Sequence, residues 1–128
     1  MPLRNTMCGG IVAGLLSVPL LADESKFPAM GDEYAAGRQI WLGTCASCHG
    51  YGIAGAPIPK RPKDWADRIS KQQSELYNHA INGFFGKEDT YMPPRGGNEQ
   101  LSDNEVRAAV DYMLALAGFY IKQQEKTK

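Results

Sequence analysis

The chain has 128 residues, room for one domain, and its 14 Lys and Arg balance 14 Asp and Glu at a formal net charge of zero. That balance excludes the basic footprint of a nucleic-acid or polyanion binder.

The first residues read as an export signal. Arg4 precedes an apolar stretch, Ile11 to Ala22 (IVAGLLSVPLLA), and the charged run DESK follows at once. This is the order of a secretory signal peptide over residues 1–22, with cleavage expected after Ala22, although Leu20 fits the small-x-small rule imperfectly. The competing reading is a retained anchor. Asn5 to Ala22 is eighteen uncharged residues, whereas a spanning helix needs about 20. Gly9, Gly10, Gly14 and Pro19 weaken such a helix. Cys8 precedes the apolar core and lacks the small-residue box of a lipidated cysteine, so it belongs with the leader. Removing residues 1–22 takes away Arg4 alone among the charges and leaves about 106 residues, a size at which apolar burial is only moderately efficient. Residues 23–31 form a short linker.

From Asp32 the pattern is helical, with Tyr34, Gly37, Trp41 and Cys45 near one face at spacings of three and four. Asp32 and Glu33 sit in its first turn, where carboxylates suit the helix dipole. The helix ends in CASCHG, and CxxCH is the attachment motif of a c-type haem. Cys45 and Cys48 would form thioethers to two vinyl groups, and His49 would reach the iron. The same spacing also occurs in redox dithiols and zinc sites. A redox pair prefers a βαβ context that is missing here, and zinc needs two more ligands. The remaining cysteine is Cys8 and the remaining histidine His79. Export and haem attachment agree, because in bacteria such haem is attached outside the cytoplasmic membrane.

Tyr51 to Lys63 (YGIAGAPIPKRPK) is too rich in proline and glycine for regular helix or central strand, and reads as a loop over one side of a cofactor. Ser70 to Phe85 regains helical spacing through Leu76, Ala80, Ile81 and Phe84 and runs into Gly83 and Gly86. Lys87 to Gln100 is loop again. Ser102 and Glu105 then form a capping box with Leu101 as the staple residue before it. Val106, Ala109, Val110, Met113, Leu114, Ala117 and Tyr120 follow as a stripe, so the last helix is predicted to end near Phe119, with a flexible charged tail over 121–128. No strand pattern of useful length and no repeat appears. The class is all-α, with three main helices.

The second axial position of the iron separates electron carriers from gas binders and enzymes. Met92 sits in a loop stiffened by Pro93 and Pro94 and flanked by Gly96 and Gly97, a poor place for a gap-filling core methionine. Met113 lies on the apolar stripe of the last helix and reads as core. Met30 has no supporting context. His79 would give bis-histidine coordination but reads as a surface residue beside Asn78.

These features together resemble the class I c-type cytochromes. AGAP, Trp65 to Ile69 (WADRI), and MPPRGG followed by LSDNEVRAAVDYM are similar to the small bacterial cytochrome c5 group, over about Asp32 to Leu116. The resemblance implies a class I fold over residues 32–120, wrapped around one covalently attached haem c. It further implies that His49 and Met92 are axial ligands on opposite faces. The Pro57 carbonyl would accept from the second ring nitrogen of His49, orienting the ring and raising its basicity. Gly37 and Trp41 would mark where the first helix crosses the last, opposite Tyr112. Trp65, Arg68 and Arg95 are candidates for the haem surroundings. Some members carry a cysteine pair after MPPxGG, where Asn98 and Leu101 stand here. The segments PIPKRPKD and GKEDTY also differ from the shortest members.

The function implied is one-electron transfer in the periplasm or another exported space, with no catalysis by this chain alone and no small-molecule substrate. Redox partner proteins would dock transiently through a small interface. They would be a membrane-bound respiratory or photosynthetic complex or a periplasmic dehydrogenase, with Lys60, Arg61 and Lys63 as a local steering cluster. The alternatives are a fixed cytochrome subunit of an oxidoreductase complex, and a haem enzyme or gas binder with an open iron site.

Overall fold

A computed structural model describes residues 26–128; the leader expected over 1–22 and the start of the linker lie outside the described residues. A 3₁₀ turn at Asp32–Tyr34 leads into α1 (Ala35–Ile40), which widens into a π-helical turn at Trp41–Cys45 and closes as α2 (Ala46–His49). The predicted first helix is thus helical backbone throughout, with one wide turn inside it.

The following loop holds a turn at Ile53–Gly55 and a short helix, α3 (Pro62–Trp65). Proline suits the first turn of a helix, where its missing N–H leaves no bond unmade. The middle helix is shorter than the expected 70–85. As α4 it covers Gln73–Asn82 and stops at Gly83, whose φ of 85° favours glycine. The next residues turn away as a two-residue strand, β1 (Phe84–Phe85), antiparallel to β2 (Tyr91–Met92), with Phe84 opposite Met92 and Phe85 opposite Tyr91. Strands this short carry no readable alternation, and the architecture remains all-α.

The last helix, α5, runs over Asp103–Lys126. Its start is the predicted box: Glu105 N–H donates to Ser102 Oγ at 3.2 Å, and Ser102 N–H donates to the Glu105 carboxylate at 2.8 Å. Its end corrects the expectation of a helix ending near Phe119 with a frayed tail. The apolar stripe continues, because Tyr120 and Ile121 pack on the main core and the Tyr120 hydroxyl donates to the Lys26 carbonyl at 3.2 Å.

The core has two parts, both built on α5. In the larger, α1 crosses α5 where Gly37 meets the backbone of Ala108, and Trp41 and Tyr112, both fully buried, meet edge to face at 5.6 Å. Burying each such ring contributes roughly 1.5–3 kcal/mol. The smaller joins Ala80 of α4 to Val106 and Val110. It is tied at its rim by Asp111, which accepts from Tyr77 Oη at 2.5 Å and Gln73 Nε2 at 2.6 Å.

Candidate haem site

The wide turn and α2 carry Cys45, Cys48 and His49, and Cys45 and His49 line a partly open cleft. Cys45, His49 and Met92 line it together, and much of the remaining wall is apolar, including Ala80, Leu101, Val106 and Met113. Cys48 follows Cys45 by three residues, on the same side of the helix. Both cysteines are half-buried free thiols. Met92 arrives from another direction, on β2. Gly83 permits this approach, since a Cβ there would stand 3.0 Å from both the Met92 carbonyl oxygen and Pro94 Cδ.

His49 is 7% exposed, and its Nδ1 donates to the Pro57 carbonyl at 2.9 Å. That bond leaves Nε2 as the nitrogen with a free lone pair. Burial lowers the His49 pKa; the Pro57 bond raises it and the nearby charge of Arg68 lowers it further, with burial the largest effect. The ring is therefore neutral at neutral pH, the state a metal requires. Burial, reinforced by Cys48, pushes the Cys45 thiol up to about 12. A reactive redox thiol needs the opposite shift. No cluster of three or more His, Cys, Asp or Glu able to hold a metal ion occurs among the described residues. The apolar wall, the neutral imidazole and the paired thiols suit a haem. Trp65 is 3% exposed and lies off the cavity wall, and its indole N–H, like that of Trp41, has no acceptor among the described residues.

The other candidates are placed less uniformly. Arg95 lines the cavity, but its guanidinium donates to the Leu101 carbonyl at 2.9 Å and pairs with Asp103 at 2.6 Å. Arg68 is exposed, donates to the Asp64 carbonyl, and lines a separate polar cleft with Pro57 and Arg61. His79 stacks on Phe84 at 4.1 Å. Met30 packs against the larger core cluster. Met113, read as core, is 8% exposed and also lies on the cavity wall. Its helical stripe gave no hint that this face turns partly toward a cofactor. Asn98 donates to Thr44 Oγ1 at 3.3 Å, tying the segment after Met92 to the attachment helix. Two uncharged polar residues 54 positions apart offer no sequence signal of that contact.

A family model described as cytochrome c oxidase, cbb3-type, subunit III matches residues 32–113. Cytochrome c-555 of Chlorobaculum tepidum is 35% identical over 104 residues, covering 81% of this chain and 93% of that protein. Cytochrome c5 of Ectopseudomonas mendocina is 34% identical over 74 residues, covering 56% and 79%. Among solved structures, a chain from the crystal structure of an electron transfer complex of nitrite reductase with cytochrome c superposes with a TM-score of 0.57 at 32% identity. It covers 65% of this chain and 95% of that one. No helix among the described residues is long and apolar enough to cross a membrane. With a CxxCH motif on an apolar cavity and this agreement in sequence and fold, the chain belongs to the cytochrome c family, has its class I fold and is a monohaem c-type electron carrier.

Proposed function

We propose that the protein carries single electrons between redox partners outside the cytoplasmic membrane, with Cys45 and Cys48 as thioether anchors and His49 and Met92 as the axial ligands. The observation that carries this reading is the common wall: His49, its Nδ1 committed to Pro57, and Met92 line one apolar cavity. When bound, the haem supplies an iron that cycles between ferrous and ferric states. The chain's part would be to hold that iron between His49 and Met92. The Pro57 carbonyl orients the imidazole and raises its basicity, while β2 and Gly83 hold the Met92 segment. A methionine ligand favours the reduced state relative to a second histidine. Of the three candidates for the haem surroundings, Arg95 alone lines the cavity, while Trp65 has a buried N–H without an acceptor among the described residues and Arg68 lies on a separate cleft.

The test is the sulfur-to-iron charge-transfer band of the ferric protein. It is present in the wild type, lost in Met92→Ala and kept in Met113→Leu. A band that survives Met92→Ala and vanishes in Met113→Leu makes Met113 the ligand instead. An exported protein also has an intact mass lacking about residues 1–22.

Docking is transient, since small interfaces serve electron-transfer encounters. The cytochrome c of the structural relative comes from such a complex, with nitrite reductase. Of the proposed steering cluster, Lys60 and Lys63 are exposed and Arg61 is paired with Asp64 at 3.2 Å. A second reading is a fixed subunit of a larger oxidoreductase, favoured by the oxidase subunit in the description of the matching family model. Co-purification with a membrane complex and a retained N-terminus identify that case.

A further inference from the structure

Residues 26–28 precede the segment matched by the family model, yet they are fastened to both crossing helices. Their three successive carbonyls each accept a side-chain hydrogen bond: Lys26 from Tyr120 Oη at 3.2 Å, Phe27 from Arg38 Nε at 2.9 Å and Pro28 from Tyr112 Oη at 3.0 Å. Arg38 is 6% exposed, so its charge needs such acceptors.

The strap delivers one side chain. Phe27 is 4% exposed, and its ring meets Trp41 edge to face at 4.8 Å and 67°. Its Cζ lies where a Cβ on Gly50 would stand 3.0 Å away. Trp41 opens the wide turn and Gly50 directly follows His49. One ring therefore touches both ends of the segment that carries Cys45, Cys48 and His49. Ala46, between them, belongs to the same buried cluster.

We propose that Phe27 is a positioning residue for the haem-attachment segment, fixing how far His49 projects into the cavity. The inference rests on His49 being an axial ligand. A Phe27→Ala substitution leaves a void behind the segment. The segment then relaxes toward it, drawing the imidazole back and weakening its donation. Donation from the axial ligand is one of the levers on the potential.

The experiment uses the full-length haem-loaded protein and measures reduction potential by spectroelectrochemistry, the ferric charge-transfer band, and thermal stability. Phe27→Ala is expected to change the ferrous-to-ferric ratio at fixed ambient potential about threefold, which is about 28 mV on a scale of 59 mV per tenfold for one electron. Phe27→Leu, which keeps an apolar wedge, shifts it the same way by less, and carries the test if the alanine variant takes up no haem. Tyr77→Phe, which removes the bond to Asp111 at the rim of the smaller core and keeps the charge unchanged, lowers stability and leaves the potential where it was. An unchanged potential in the Phe27 variants despite lost stability overturns the inference and leaves Phe27 as core filling. A wild type without the band removes Met92 as a ligand, whereas a His49→Ala protein that keeps the wild-type haem spectrum removes His49 and with it the premise, a different failure seen before any Phe27 variant is compared.

Discussion

Gly37→Ala sets two opposed effects against each other. Alanine is the better helix former by about 1 kcal/mol in a helix interior, so on α1 alone the change stabilises. At the crossing it meets α5: the new Cβ would lie 2.0 Å from the Ala108 carbonyl oxygen and 2.6 Å from its carbon. The obstacle is backbone, so no side chain can swing aside. Reaching even 3.0 Å requires the helices to part by about 1 Å. A radial gap of about that size forfeits a quarter to a half of each contact well, at roughly 0.1–0.2 kcal/mol per atom pair. Trp41 and Tyr112, fully buried at this crossing, share that loss. With roughly 40–60 contacts per buried side chain, about half of them across the crossing, two rings lose on the order of 3 kcal/mol, which leaves a net destabilisation of about 2 kcal/mol. Guanidinium unfolding of the haem-loaded protein measures it as a lower midpoint at unchanged slope. A variant as stable as the wild type, or more stable by the propensity gain, would refute the account of the crossing.

Four further outcomes follow from named contacts. Ser102→Ala removes the cap and costs about 1 kcal/mol. The Ser102 backbone N–H, then its hydroxyl, lowers the Glu105 pKa. The carboxylate's contribution is therefore present above the ordinary carboxylate range and lost as pH falls through the lowered value, and Glu105→Gln should flatten that part of the acid unfolding curve. Burial first, then the bond to Asp111, raises Tyr77 to about 12. Its contribution is full below the ordinary tyrosine value of about 10 and is lost as pH rises through about 12. Ultraviolet titration of Asp111→Asn should show a downward shift that stops short of the ordinary value, because burial remains; an unshifted titration removes Asp111 from the account. Truncation after Phe119 should lower the melting temperature by removing Tyr120 and Ile121 from the core, whereas truncation after Ile121 should change it little. Equal melting temperatures for the two would restore the frayed tail.

What the sequence encodes locally could be read from it. The carboxylates at Asp32 and Glu33, the Gly37 and Trp41 spacing, and the Ser102 to Glu105 box are short-range signals, and each corresponds to an element at that place. The hairpin joining Phe84–Phe85 to Tyr91–Met92 has no sequence signature, because its strands are too short for a period to show. α3 was hidden in a proline-rich run whose Pro62 is in fact a helix start. The end of α5 has no local signal, because IKQQEK reads as polar, while what holds the region is the contact of Tyr120 and Ile121 with a core built by distant residues. At the cavity, CxxCH pointed to chemistry, but which methionines face it depends on how α4 and β2 fold over α5. The strap at residues 26–28 is bonded through its carbonyls, which every residue has, so its letters give no notice of it.

The π turn at Trp41–Cys45 solves a problem of angular phase. One helix must aim Gly37 and Trp41 at α5 and, a few residues later, Cys45 and His49 at the cavity. An α-helix advances about 100° per residue, so one additional residue within a turn rotates everything after it by about that angle. Gly43, exposed and with nothing near its Cβ position, lies inside that turn, where a residue could be removed without a steric penalty of its own. Its deletion would leave the crossing in register and swing the haem-bearing residues out of line. Scaffold and cofactor thus occupy one continuous helix, and their relative orientation is set by a single turn between them.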